Sequence, residues 1–132
     1  MNPITIPNHL VTPTAIAIIG IILLLIFRRR INNSLFIGTL TFLAFYAFIV
    51  GTAVYDDIYS QWRLNQFDLN QDGVFSGDEL TPEQDEAMTE LTNDVGRNFS
   101  FITGGISGFI LGLAAYVFSR IFERIKPKLR DT

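Results

Sequence analysis

Apolar residues gather into three long runs, at 11–27, 35–54 and 99–122, and the stretch between the second and third, 55–98, is predominantly polar. None of the runs shows the two-residue alternation of a half-buried strand or the regular polar face of a soluble helix. A helix rises 1.5 Å per residue, so crossing about 30 Å of hydrocarbon takes roughly 20 apolar residues. In that medium every backbone polar group has to bond within the segment, which selects helix. The second run meets the requirement with 20 uncharged residues, and the third carries only Arg120, near its end. The first, with 17 residues, is at the short limit, and a re-entrant or interfacial helix is its alternative. Thr12 and Pro13 suit its N-cap and first helical position, and Arg28-Arg29-Arg30 closes it. A cleaved signal peptide fits poorly, because its positive charges would precede the apolar core. The predicted fold class is therefore all-α: an integral membrane protein with three transmembrane helices. Its parts are 1–54 (tail and spans one and two), 55–98 (polar segment) and 99–132 (span three and a basic tail).

Charge sets an orientation. The formal net charge of −3 conceals a segregation: 55–98 holds eleven Asp and Glu against Arg63 and Arg97, while the other eight basic residues are Arg28 to Arg30 and those from Arg120 onward. Lys and Arg in short loops resist translocation, so 28–34 and the C-terminus are expected on the cytoplasmic side and the N-terminus and 55–98 outside. Tyr55, Tyr59 and Trp62 follow span two, where amphipathic rings settle among headgroups. With 132 residues, 48 % of them hydrophobic, three spans leave no room for a separate catalytic domain. Cysteine is absent, which excludes thiolate sites, and the one histidine, His9, has no second histidine with which to share an ion.

The polar segment contains FDLNQDGVFSGDEL. Counted from Asp68 as position 1, it places Asp68, Asn70 and Asp72 at 1, 3 and 5, Gly73 at 6, Val74 at 7, Ser76 at 9 and Glu79 at 12. This pattern resembles an EF-hand calcium-binding loop at every liganding position. The resemblance covers these twelve residues and about a dozen on either side, and nothing in the spans. It implies a calcium ion ligated by the side chains of Asp68, Asn70 and Asp72, the Val74 carbonyl, Ser76 directly or through water, and two oxygens of Glu79. Alternate short side chains on a curved loop point inward together, and Gly73 permits the sharp bend. Three carboxylates on a divalent ion leave the filled site near −1, and the bidentate Glu79 favours calcium over magnesium.

The flanks follow the pattern in part. Leu64 and Phe67 stand where an entering helix carries its apolar contacts, and span two is expected to run straight into it. After Glu79 the helix restarts, with Thr81 as N-cap, Pro82 at N1 and Gln84 completing a capping box. Its apolar stripe of Ala87, Met88, Leu91 and Val95 needs a cover. EF-hands usually pair around position 8; here that residue is Phe75, with no second loop in the chain, so Phe75 calls for a partner surface. Span three adds Gly104, Gly108 and Gly112 at intervals of four, a strip that lets two helices approach closely. Its partner is either a second subunit or this chain's own Ala44, Ala47 and Gly51.

No ionisable residue lies mid-span, and no nucleophile-base set or phosphate-cradling loop is present, so an enzyme is not expected. The basic tail suits anionic lipid, with no nucleic acid partner. The sequon NFS at Asn98 abuts the third run. The expected function is that of a small calcium-binding membrane protein, an accessory or stabilising subunit of a larger membrane complex or a homo-oligomer, with membrane lipids and a partner meeting Phe75 and the Gly104, Gly108 and Gly112 strip. Outside the cytoplasm calcium is abundant and such loops bind at on the order of 10⁻⁴ to 10⁻³ M, which favours a structural ion. The alternative is a calcium-responsive regulator or a small homo-oligomeric channel.

Overall fold

The computed structural model describes residues 3–130, with side chains up to 126; the last residues of the predicted basic tail lie outside this range. Its helices are α1 (Asn8–Ile26), α2 (Asn33–Asn65), α3 (Pro82–Thr92), α4 (Val95–Asn98) and α5 (Ser100–Arg130), and no strand occurs among the described residues. Three helical stretches, α1, α2 and one that includes α5, are long and apolar enough to cross a membrane. They run up, down and up. One end of the bundle therefore carries the Arg28–Arg30 turn and the end of α5, and the other carries the N-terminal tail and the acidic segment.

α1 begins five residues ahead of Pro13, the predicted first helical position, which turns Pro13 into an interior residue. The early turn forms because Leu10 is fully buried against Val50 and Ala53, with Ile6, Tyr46 and Phe101 around them. Burying a leucine is worth about 1.5–3 kcal/mol, which offsets the backbone bond that Pro13 cannot make. The Thr14 hydroxyl donates to the Leu10 carbonyl at 2.8 Å. At the opposite end Asn32 caps α2, its side chain accepting from the Ser34 N–H at 2.9 Å, while the Arg28 guanidinium lies 4.2 Å from the Phe36 ring centre.

α2 is continuous over 33 residues, roughly 50 Å, as expected for a span that enters the loop without a break. About 11 of those residues, 55–65, extend roughly 16 Å past the apolar run. Tyr55, Tyr59 and Trp62 stack along the exposed side of this extension, with ring centres 6.4 and 5.9 Å apart.

The glycine strip of α5 packs on α2 of the same chain. A Cβ on Gly112 would stand 2.8 Å from the Gly38 carbonyl oxygen, one on Gly108 3.2 Å from the Phe42 carbonyl oxygen, and one on Gly104 3.1 Å from Ile49 Cγ2. The matching surface is not the small face of Ala44, Ala47 and Gly51: Ala44 is exposed and Gly51 opens on empty space. Gly38 gives the close approach instead, and the Phe42 and Tyr46 side chains cover the other glycines. Small residues on one helix need a complementary relief on the other, which large side chains beside a single glycine supply as well as a second small strip does.

Candidate functional site

The polar segment is held by two separate polar clusters. The first is the 68–79 loop. Once α2 ends at Asn65 the chain turns back over itself, with Gln71 (φ 61°), Gly73 (φ 83°) and Gly77 (φ 59°) in the left-handed region. Gly73 and Gly77 take this conformation without a Cβ penalty. The Gly73 N–H donates to Asp68 Oδ2 at 3.1 Å, drawing position 6 over position 1. Asp72 Oδ1 accepts from the Val74 N–H at 2.7 Å, and Asn70 Oδ1 accepts from the Asp72 N–H at 2.9 Å. Glu79 folds underneath: Oε1 accepts from the N–H groups of Leu69 (2.8 Å) and Asn70 (3.2 Å), and Oε2 from that of Ser76 (3.0 Å). Ser76 returns the contact as the other half of a capping box on the Gly77–Glu79 turn.

Of the six predicted ligands, Asp68 and Glu79 lie inside, 5 % and 6 % exposed, with backbone donors around them. Asn70 and Asp72 sit on the exposed rim, where the Asn70 amide donates to Asp72 Oδ2 at 2.9 Å. Val74 and Ser76 are exposed. No three His, Cys, Asp or Glu side chains converge into a metal-binding group among the described residues. Asp68 Oδ2, Asp72 Oδ1 and both Glu79 oxygens accept from the loop's own N–H groups, which is how negative oxygens on a tight turn are satisfied by the chain itself. The donor set is all oxygen and therefore suits a hard cation such as calcium. Phe75 is half-buried, and the exposed apolar residues of the loop are Leu69, Val74 and Leu80.

Past the loop, α3 starts where the sequence predicts, with Thr81 Oγ1 accepting from the Gln84 N–H at 3.1 Å and Pro82 at the first turn, but the predicted capping box is not closed, because the Thr81 N–H donates to the Glu79 carbonyl at 3.0 Å. It packs against α2, and Ala87 of α3 and Leu64 of α2 are both buried, so α2 provides cover for its thin stripe. Val95 falls beyond its end and is exposed. Arg63 ties the two helices at the surface, 2.5 Å from Glu90 and 3.9 Å from Glu86.

The second cluster was not predicted. Arg97, on α4, is buried and places Nε 3.4 Å from Asp57 Oδ1 of α2. Its Nη1 donates to Ser60 Oγ at 3.2 Å, and Nη2 donates to the carbonyls of Glu90 (3.4 Å) and Leu91 at the end of α3. Asp57 Oδ2 accepts from Gln61 Nε2 at 2.7 Å, and Gln61 also accepts from the Thr5 N–H (2.9 Å) and donates to the Thr5 carbonyl (2.8 Å). One chain of contacts thus joins the N-terminal tail, the α2 extension, the end of α3 and α4, beside the start of α5. Asp94 caps α4 by accepting from the Arg97 N–H at 2.8 Å, which sets the backbone from which the guanidinium reaches inward. The available signal was the rarity of cations: an acidic segment with two arginines pairs both.

Compared with known proteins, the chain has no match: no protein-family model, curated protein or solved structure is similar to it. The fold and the two clusters therefore define it only as an all-helical chain with three helices able to cross a membrane and a polar head fastened to one end of the bundle.

Proposed function

We propose that this is a three-span membrane protein whose 68–79 loop is an EF-hand-like calcium site outside the cytoplasm, and that it serves as an accessory or stabilising subunit of a larger membrane complex. One observation carries the reading: Asp68 and Glu79, the first and last positions of the loop, are both buried in it, with Gly73 bonded across it to Asp68. A hard cation would take oxygens from Asp68, Asn70, Asp72, Val74, Ser76 and Glu79, and would neutralise two of the three carboxylate charges. The chain's own part is to fix the loop between two helices. α2 brings it out on a continuous helix, and α3 is anchored back through Arg63 and Arg97, so an ion here ties elements that are already joined. That favours a structural ion over a switch, since switching needs an element with two arrangements. The exposed Leu69, Val74 and Leu80 offer the loop an apolar contact for a partner. Orientation follows the arginine-rich end, which the positive-inside tendency puts in the cytoplasm.

The test is calcium titration of the detergent-purified full chain, followed by terbium luminescence and Trp62 fluorescence, with native mass measurement of material extracted in mild detergent. The expected result is one ion bound at on the order of 10⁻⁴ to 10⁻³ M, together with co-extraction of a further subunit. A calcium-indifferent monomer overturns the reading, and low-micromolar affinity with movement of the loop moves it to a sensor.

A further inference from the structure

The end of the bundle away from the calcium loop holds a second arrangement with no role in the reading above. An open apolar groove of about 320 Å³ runs between α2 and α5, floored by Gly38 and Gly112 and walled by Phe42, Phe109, Leu113 and Tyr116. The groove lies beside the place where Gly38 and Gly112 bring the two helices into close contact. Tyr116 also lines a neighbouring open pocket of about 340 Å³ of mixed polarity, whose other walls are Val117, Arg120, Ile121 and Arg124. Residues 109, 112, 113, 116, 120 and 124 recur at helical spacing along one side of α5, so the two cavities form one track, apolar and then basic. From 109 to 124 it runs roughly 22 Å along the helix, of the order of one leaflet with its headgroup layer.

From this we infer that the track is a binding site for one anionic phospholipid, with an acyl chain along the glycine floor and the phosphate at Arg120 and Arg124. Charge complementarity selects the headgroup. The stretches 28–34 and 116–126 together carry six Arg and Lys against Glu123, whose carboxylate stands 3.6 Å from Arg120 at the surface. Basic pockets on membrane helices at this depth recognise phosphate headgroups, and the adjoining apolar slot distinguishes a bound lipid from a lipid attracted only by surface potential. Depth agrees as well: Gly38 lies three residues inside the second apolar run and faces Tyr116, which leaves Arg120 about one turn further out, at the hydrocarbon boundary.

The experiment uses the full chain in nanodiscs and in mild detergent, with phosphatidylglycerol and phosphatidylcholine of identical acyl chains as probes. Native mass spectrometry reads lipid retention and thermal unfolding reads protection. We expect one retained phosphatidylglycerol and a preference over phosphatidylcholine of roughly 30-fold, the effect of two arginines at a lipid surface. Arg120→Gln with Arg124→Gln abolishes that preference, whereas Arg29→Gln with Arg30→Gln, at the same end but outside the track, retains it. Thr39→Phe, which fills the groove from the side, lowers retention of both lipids. Equal loss in the two arginine pairs, equal retention of the two lipids, or full protection by inorganic phosphate alone would each overturn the site. None of these readouts involves calcium, so the test stands whatever the loop binds.

Discussion

Replacing Arg97 by methionine removes the guanidinium at the centre of the second cluster and leaves Asp57, 7 % exposed at its side chain, with the Gln61 amide as its hydrogen-bond donor. Ser60 and the carbonyls of Glu90 and Leu91 lose a donor at the same time. Removing one member of a buried pair costs about 3–5 kcal/mol, mostly because the other charge stays in place without its counter-ion. Arg63 is the control, because its bond to Glu90 is geometrically closer but lies between side chains 35 % and 46 % exposed, where such a pair is worth about 0.2–1 kcal/mol. Proximity thus ranks the pairs one way and burial the other, and burial is expected to win. Denaturant titration of helicity in mild detergent measures both variants. Asp57→Leu combined with Arg97→Met removes both charges and is expected to recover to within about 1–2 kcal/mol of the native chain, giving a large favourable coupling in a double-mutant cycle. Limited proteolysis between 66 and 94 supplies a local readout, with faster cutting in Arg97→Met and near-native cutting in the double variant. If Arg97→Met costs no more than Arg63→Met, or if the two substitutions at 57 and 97 simply add, the pair does not anchor the polar head.

Other outcomes follow from the same structure. Gly112→Ala is expected to destabilise by about 1–3 kcal/mol, because the new methyl meets the Gly38 carbonyl at 2.8 Å, whereas Gly51→Ala enters open space and should be neutral or stabilising by up to about 1 kcal/mol; thermal unfolding of the two side by side decides this. On the proposed calcium reading, Glu79→Gln weakens binding by on the order of 100-fold in the terbium assay, since ligand charge tunes loops of this kind. Thr81→Ala removes the acceptor for the Gln84 N–H and should cost about 1 kcal/mol in the denaturant titration, with faster hydrogen exchange confined to the first turn of α3.

The three long helices were legible because hydrocarbon demands a long apolar run, a constraint that local sequence states openly. The start of α3 was legible for a similar reason: Thr81, Pro82 and Gln84 interact with their own neighbours. What escaped depends on the opposite kind of information. The start of α1 is decided by where Leu10 lands on Val50 and Ala53, forty residues away and more, so Pro13 looked like a boundary when only its local chemistry was weighed. The helix that receives Gly104, Gly108 and Gly112 was correctly among the candidates, but the receiving residues were not, since a glycine strip reports how closely a neighbour comes and not which side chains border it. Asp57 and Arg97 were visible as charges and invisible as a pair, because no spacing rule connects residues on helices that meet only in the fold.

The unbroken course of α2 from the apolar layer to the loop makes residue count an angular quantity. Each residue advances the helix by about 100°, so a single insertion between 54 and 57 would swing Asp57, Ser60 and Gln61 away from Arg97 and Thr5 by more than a quarter turn. Seven inserted residues would nearly restore the bearing, at about 20° short of two full turns, but would lift the loop by roughly 10 Å. The length of this stretch therefore matters independently of its side chains, and the heading of the loop around the bundle axis is written in the number of residues between Val50 and Asp57 as well as in their identity.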